Sequence, residues 1–161
     1  MKSIYYRVDE KFIHAQVIHG WLPYLKAKRI IGISSKIADD PLSKQIYMES
    51  LPEGVEGSIM KPEDAAQSKF TTSETERILV LFSSINDAVQ FCEAGGDIKY
   101  LHLGGIYENP ERTEYLSFIH LSDDEVMLLL KMKKKCGEIY CQDIPRAEPV
   151  SITELLNSNT N

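Results

Sequence analysis

The sequence has little cysteine, and its cysteines do not form a recognisable framework. Three occur, Cys92, Cys136 and Cys141, an odd number without C-x-x-C spacing. This usage is typical of free thiols in a reducing compartment rather than of a disulfide-stabilised fold. Clusters of histidine and cysteine at metal-ligand spacings are also lacking, so we predict no metal site. We therefore expect a cytoplasmic protein without a metal.

A long apolar run and an excess of basic residues are missing as well. No segment approaches the roughly 18–20 apolar residues of a membrane helix, and charged residues interrupt any signal-peptide core near the start. The net charge of −6 argues against a nucleic-acid binder. Neither G-x-G-x-x-G nor a Walker motif occurs, so we predict no nucleotide cofactor. A role in transport would require a separate membrane partner.

What is present is an alternation of short apolar runs with helix-period stretches. The 161 residues, 43% of them hydrophobic, suit a single domain spanning 1–161. The predicted strands cover residues 4–8, 29–34, 55–60, 78–82, 100–103, 118–121 and 139–141. The predicted helices cover residues 14–26, 41–51, 62–69, 85–94, 123–136 and 151–156. This order predicts a three-layer α/β sandwich with a mostly parallel, twisted sheet and helices on both faces. Residues 157–161 are predicted to be a frayed tail.

The turn after the first strand concentrates groups that could carry chemistry. In open parallel sheets, ligands bind outside the carboxyl ends of the strands. His14 falls at this edge, at the start of the first predicted helix, where backbone amides and the helix dipole favour an anion. A histidine at a turn is more often a packing or capping residue, so composition alone leaves both readings open.

The segment R-V-D-E-K-F-I-H-A-Q-V, from Arg7 to Val17, resembles a known phosphorylation loop. That loop belongs to the IIB components of mannose/fructose/sorbose phosphotransferase systems, and reads roughly R-V-D-D-R-L-I-H-G-Q-V. Further matches follow in the same order along nearly the whole chain: Gly20-Trp21, Ile37–Asp40, Leu51–Val55, Leu103–Gly105, Ser122–Glu125 and Gln142–Pro145. The resemblance includes N-acetylgalactosamine-type members.

The resemblance implies a phosphoryl carrier. A IIA component would phosphorylate His14 on Nδ1, and the group would then pass to a sugar at the membrane IIC and IID components. The chain would be a protein-N(π)-phosphohistidine–sugar phosphotransferase, cytoplasmic and bound to the membrane through that complex. Many members self-associate, so a homodimer is an alternative to a monomer.

Further residues are predicted to assist His14. Asp9 would hold the imidazole tautomer and Lys11 would neutralise phosphoryl oxygens. The remaining candidates for binding the phosphoryl group or the substrate are Arg7, Gln16, Ser83, Ser84, Gly104 and Gly105. Each also has a structural interpretation, as a turn, cap or surface residue.

Two departures from the family pattern bear on this prediction. Lys11 replaces an arginine and loses the bidentate grip on phosphate, and Ala15 replaces a glycine, which would be strained in a left-handed conformation. A diverged regulatory or binding module on the same fold therefore stays open as the alternative. An unrelated flavodoxin-like enzyme is a third hypothesis, which a bound cofactor would reveal.

Overall fold

The computed structural model describes residues 4–68, 70 and 75–159. Its strands are β1 (Ile4–Val8), β2 (Arg29–Ile33), β3 (Glu56–Met60), β4 (Ile78–Phe82), β5 (Tyr100–Leu103), β6 (Thr113–Leu116), β7 (Ile119–Leu121), β8 (Glu138–Cys141) and β9 (Val150–Ser151). After a π-helical segment, Val17–Trp21, its helices are α1 (Leu22–Leu25), α2 (Ser35–Ala38), α3 (Pro41–Glu49), α4 (Pro62–Ser68), α5 (Ile85–Glu93), α6 (Asp123–Cys136) and α7 (Ile152–Ser158).

The main sheet has the order β3-β2-β4-β1-β5-β8-β9. All neighbouring pairs are parallel except β8 and β9, which run antiparallel. β6 and β7 form a separate antiparallel hairpin. The predicted three-layer α/β fold with a mostly parallel sheet is confirmed. No helix in the described ranges is long and apolar enough to span a membrane.

Most predicted elements are confirmed within a residue or two, and the local signals explain why. Ser84 caps α5 by accepting from the Asp87 amide, and Ser122 with Glu125 forms a capping box on α6. β6, β9 and α2 were not predicted. The predicted helix end at Lys69 lies outside the described residues. α7 extends to Ser158, into the tail predicted at 157–161, whose fraying stays a prediction; residues 160 and 161 lie outside the described ranges.

Two apolar clusters cover the two faces of the sheet. One packs α4, α5, α6 and α7 against side chains such as Val8 and Val80. The other packs the 17–25 helical stretch and α3 against Leu79 and Leu81. The chain leaves β1 towards the second face, whereas its neighbours β4 and β5 lead to helices on the first. This divergence opens a crevice at the carboxyl end of β1.

Phe12 fixes the loop that follows β1. Its φ of 60° is left-handed, which costs a bulky residue roughly 1–3 kcal/mol. The ring compensates by burying itself to 1% exposure and meeting Tyr47 edge-on with centroids 5.2 Å apart. A Cβ on Gly32 would lie 2.5 Å from the Phe12 Cζ. The glycine in β2 therefore makes room for the strained residue two positions before His14.

Gly32→Ala is expected to lower the free energy of unfolding by about 1–3 kcal/mol, because the added methyl group overpacks the Phe12 pocket. Urea denaturation monitored by circular dichroism measures this. The matched control is Gly20→Ala, since nothing lies within 4 Å of the position of its Cβ. That variant is expected to keep or raise stability by up to about 1 kcal/mol. Equal stability of the two variants would contradict the role assigned to Gly32.

Candidate functional site

His14 and Asp9 form a hydrogen-bonded pair at the carboxyl end of β1. The His14 Nε2 lies 3.0 Å from Asp9 Oδ2, with the imidazole 19% exposed and the carboxylate 1% exposed. Because an ionised carboxylate only accepts hydrogen bonds, this geometry assigns the ring proton to Nε2. The lone pair of the neutral imidazole is then on Nδ1. The bond to Asp9 therefore fixes the tautomer in which Nδ1 carries the free lone pair and can act as a nucleophile.

Asp9 is itself fixed by the turn that it begins. Its Oδ1 accepts from the Lys11 amide at 3.0 Å, and its backbone carbonyl accepts from the Phe12 amide at 2.9 Å. The Asp9 amide in turn donates to the Phe82 carbonyl at the end of β4. The carboxylate that orients His14 is therefore tied to two strands of the sheet.

The first helical turn begins directly after His14. Ala15 is the first helical residue, and the Ile18 amide donates to the His14 carbonyl at 2.9 Å. Amides in a first turn lack intrahelical acceptors and carry the positive end of the helix dipole. Because Ala15 is helical rather than left-handed, replacing the family glycine introduces no strain there. The predicted position of His14 at the start of the helix is confirmed, and its role in binding an anion stays a prediction.

Lys11 lies on the exposed side of the same turn. Its ammonium sits 5.0 Å from the centroid of the Tyr107 ring, a distance at which a cation is attracted to an aromatic face. Tyr107 belongs to the loop between β5 and β6 and was not predicted as a site residue. The Lys11 ammonium, which we predicted to neutralise phosphoryl oxygens, therefore contacts an aromatic ring in this structure.

Arg7 is part of the interior. Its side chain is fully buried, and its Nη1 and Nη2 donate to the carbonyls of Gln142 at 2.8 Å and Asp143 at 2.9 Å. The guanidinium carbon lies 4.3 Å from the Trp21 ring centroid. Burial lowers the pKa of Arg7, while Tyr5, Asp9 and Asp143 oppose that shift. This residue anchors the 142–143 loop, so we assign it no direct phosphoryl contact.

Gln16 meets that loop from the other side. Its Nε2 donates to Asp143 Oδ1 at 3.3 Å, and the Trp21 Nε1 donates to the Asp143 carbonyl at 3.3 Å. Asp143 thereby joins the first helical turn to the end of β8. Sequence reasoning missed this aspartate, although it lies inside the Gln142–Pro145 segment that carries part of the resemblance.

Gly104 and Gly105 leave space for two large side chains. The Gly104 amide donates to the Val8 carbonyl at 2.7 Å, and a Cβ there would lie 2.3 Å from the Arg7 Nη2. A Cβ on Gly105 would lie 2.3 Å from the Tyr107 hydroxyl, and its carbonyl accepts from the Glu10 amide. The two glycines therefore allow the side chains of Arg7 and Tyr107 to lie close to the backbone. Their predicted contact with a phosphoryl group stays a prediction.

Ser83 and Ser84 belong to a separate polar cluster around Asp87. Their hydroxyls donate to Asp87 Oδ2 at 2.6 and 2.9 Å, and Ser35 donates to Oδ1 through its amide and its hydroxyl. Asp87 is 5% exposed. Because a buried carboxylate already uses both hydroxyls and would repel another anion, we leave the two serines out of the proposed site.

Comparison with known proteins identifies the family. Residues 4–161 match the family model of the phosphotransferase system sorbose subfamily IIB component. The fructose-specific EIIB component of Bacillus subtilis is 24% identical, and the match covers 99% of both chains. The mannose-specific EIIAB component of Escherichia coli is 21% identical over 94% of this chain and 47% of its own length.

A solved structure supports the same assignment. The crystal structure of manxB from Thermoanaerobacter tengcongensis is 28% identical, with a TM-score of 0.87 over 98% of this chain and 97% of that one. The family match spans the turn that carries Asp9 and His14, and the fold likeness covers the whole sheet. The chain therefore belongs to the IIB components of the mannose/fructose/sorbose class of sugar phosphotransferase systems.

Proposed function

We propose that this chain accepts a phosphoryl group on Nδ1 of His14 from a IIA component and passes it to a sugar at the membrane IIC and IID components. The observation that carries the proposal is the bond between His14 Nε2 and the buried Asp9 carboxylate. It leaves Nδ1 as the nucleophilic nitrogen, on the side of the ring away from the carboxylate.

Two displacements at phosphorus account for the transfer. In the first, the Nδ1 lone pair attacks, an N–P bond forms, and the bond to the donor breaks with its electron pair returning to the donor. In the second, a sugar hydroxyl oxygen attacks, the N–P bond breaks, its electron pair returns to Nδ1 and the hydroxyl proton is released. The protein supplies positioning and charge rather than new covalent chemistry.

Charges around the ring favour the phosphorylated state. Phosphorylation of Nδ1 makes the imidazole cationic while Nε2 keeps its proton, and the Asp9 carboxylate stabilises that cation. The first-turn amides and the Lys11 ammonium would donate hydrogen bonds to the phosphoryl oxygens. Gln16 would contribute a further amide after releasing Asp143.

The partners follow from the proposed chemistry and from the relatives' names. One of them is an EIIAB component, which supports a IIA protein as the donor to this domain. The two relatives described above are named for fructose and for mannose. We therefore propose a sugar of that class as the final acceptor, without naming one. We also propose that the protein is cytoplasmic and associates with the membrane through the IIC and IID proteins.

A diverged regulatory module is the second candidate. The observation that favours it is Lys11 in place of the arginine of the family's loop, because lysine lacks the bidentate grip on phosphate. Such a module would bind a phosphorylated IIA component without taking up its phosphoryl group.

His14→Ala is expected to abolish phosphorylation. The measurement is intact-protein mass with site mapping at alkaline pH, using a phosphoenolpyruvate cascade and a mannose-class IIA protein as the source. His19→Ala is the matched control, since His19 is exposed in the π-helical segment. One phosphoryl group on the wild type and on the control supports the proposal. Label that persists in His14→Ala contradicts it, and binding without label in the wild type favours the regulatory module.

Asp9→Asn is expected to slow phosphoryl uptake by roughly 10²-fold or more, because the tautomer and the imidazolium lose their carboxylate. It should also shift part of the label from Nδ1 to Nε2, since the ring is no longer held in one tautomer. Nuclear magnetic resonance of the phosphoprotein distinguishes the two isomers. Asp124→Asn, at an exposed position of α6, is the control. An unchanged rate with label on Nδ1 alone would remove Asp9 from the mechanism.

A further inference from the structure

Arg112 donates hydrogen bonds to two carboxylates and to one backbone carbonyl near the turn that carries His14. Its Nη1 and Nη2 donate to the two carboxylate oxygens of Glu10 at 2.7 and 2.8 Å. Its Nε and Nη2 donate to Glu125 at 2.7–3.1 Å, and its Nη1 also reaches the Tyr107 carbonyl at 2.7 Å. The guanidinium is 11% exposed. Bidentate pairs of this kind fix geometry as well as charge.

These bonds join three parts of the chain that are distant in sequence. Glu10 directly precedes Lys11 in the turn after β1. Tyr107 lies in the loop before β6, and its amide donates to Glu10 Oε1 at 2.8 Å. Glu125 is held in the capping box of α6, the longest described helix. Arg112 therefore ties the start of the long helix α6 to the turn that carries His14.

Tyr107 extends this network to the Lys11 side chain. Its ring receives the ammonium at 5.0 Å, and its hydroxyl lies against Gly105. Burial raises the pKa of Tyr107, and the charges of Asp9, Asp143 and Glu10 raise it further. The ring therefore lies between the Lys11 ammonium and Gly105, just after β5.

We infer that Arg112 is a positioning residue for phosphoryl transfer, acting through Glu10 and Tyr107 on the Lys11 ammonium. The inference rests on the proposed function. Arg112 neutralises Glu10, whose carboxylate would otherwise attract the ammonium of its neighbour and withdraw it from the phosphoryl group. It also fixes the backbone of Tyr107, so that the ring holds the Lys11 ammonium without a salt bridge that transfer would have to break.

The test measures the single-turnover rate of phosphoryl transfer from a phosphorylated mannose-class IIA protein to the full chain. Arg112→Lys keeps one charge but loses the fork, and a misplaced group in such a site costs about tenfold or more. Tyr107→Leu removes the ring, for which we expect a loss of about two- to fivefold. Tyr107→Phe keeps the ring and should recover most of that loss.

Arg29→Lys is the matched control, because Arg29 forms a partly exposed pair with Glu76 at 3.8 Å and begins β2, at the sheet edge opposite the site. Each substitution is then repeated in a Lys11→Met background. If Arg112 and Tyr107 act through the ammonium, their substitutions have little further effect once it is gone. Circular dichroism at the assay temperature confirms that each variant is folded.

The outcomes separate this inference from the proposal on which it rests. A wild-type chain that takes up no phosphoryl group from a competent donor overturns both. Wild-type transfer with Arg112→Lys within twofold of it overturns the inference alone. So does a loss in Arg112→Lys that is equally large in the Lys11→Met background, because that pattern indicates a general structural effect. A loss that disappears in that background, with Tyr107→Phe faster than Tyr107→Leu, supports it.

Discussion

A buried guanidinium organises the carboxyl edge of the sheet. Arg7 loses its hydration entirely, which lowers its pKa, and it recovers stabilisation from two loop carbonyls and the Trp21 face. Since those carbonyls belong to Gln142 and Asp143, the same bonds position the carboxylate that Gln16 meets. The edge of β1, the end of β8 and the first helical turn thus share one central cation. His14 lies between β1 and that helical turn, at the same edge.

Two buried carboxylates at this edge illustrate how surroundings decide a role. Asp9 presents one oxygen to an imidazole and the other to an amide, so its charge acts on a ring that can react. The Asp87 carboxylate accepts from the hydroxyls of Ser35, Ser83 and Ser84 and from the Ser35 amide, so its charge joins α2 and the end of β4 to α5. The distinction rests on which neighbours donate, and local sequence around an aspartate does not contain that information.

Local signals explain how much of this structure could be predicted. The β1 strand, the turn and the helix start at Ala15 follow from contiguous residues, and so does the α6 capping box, whose Ser122 and Glu125 are three positions apart. Arg112 and Glu10 are 102 positions apart in the sequence, and the Lys11 ammonium and the Tyr107 ring also come from distant segments. Local sequence therefore could not predict either contact. Ser83 follows β4 at the carboxyl edge of the sheet, as predicted, but the bond from its hydroxyl to the Asp87 carboxylate was not predicted. The strand at 118–121 was predicted and is β7, whereas β6 was missed because it is short and begins with the exposed polar residues Thr113 and Glu114.

The antiparallel β9 strand has a consequence for assembly. It adds only two residues beside β8 before the chain turns into α7, and a short edge of this kind offers few backbone groups to another chain. At the opposite edge, β3 presents five residues, including Glu56 and Gly57. Two copies that joined by extending the main sheet would therefore meet through β3, and any other symmetric pair would use the β6–β7 hairpin, helices or loops. The fold thus restricts the geometries open to self-association before any interface residue is considered.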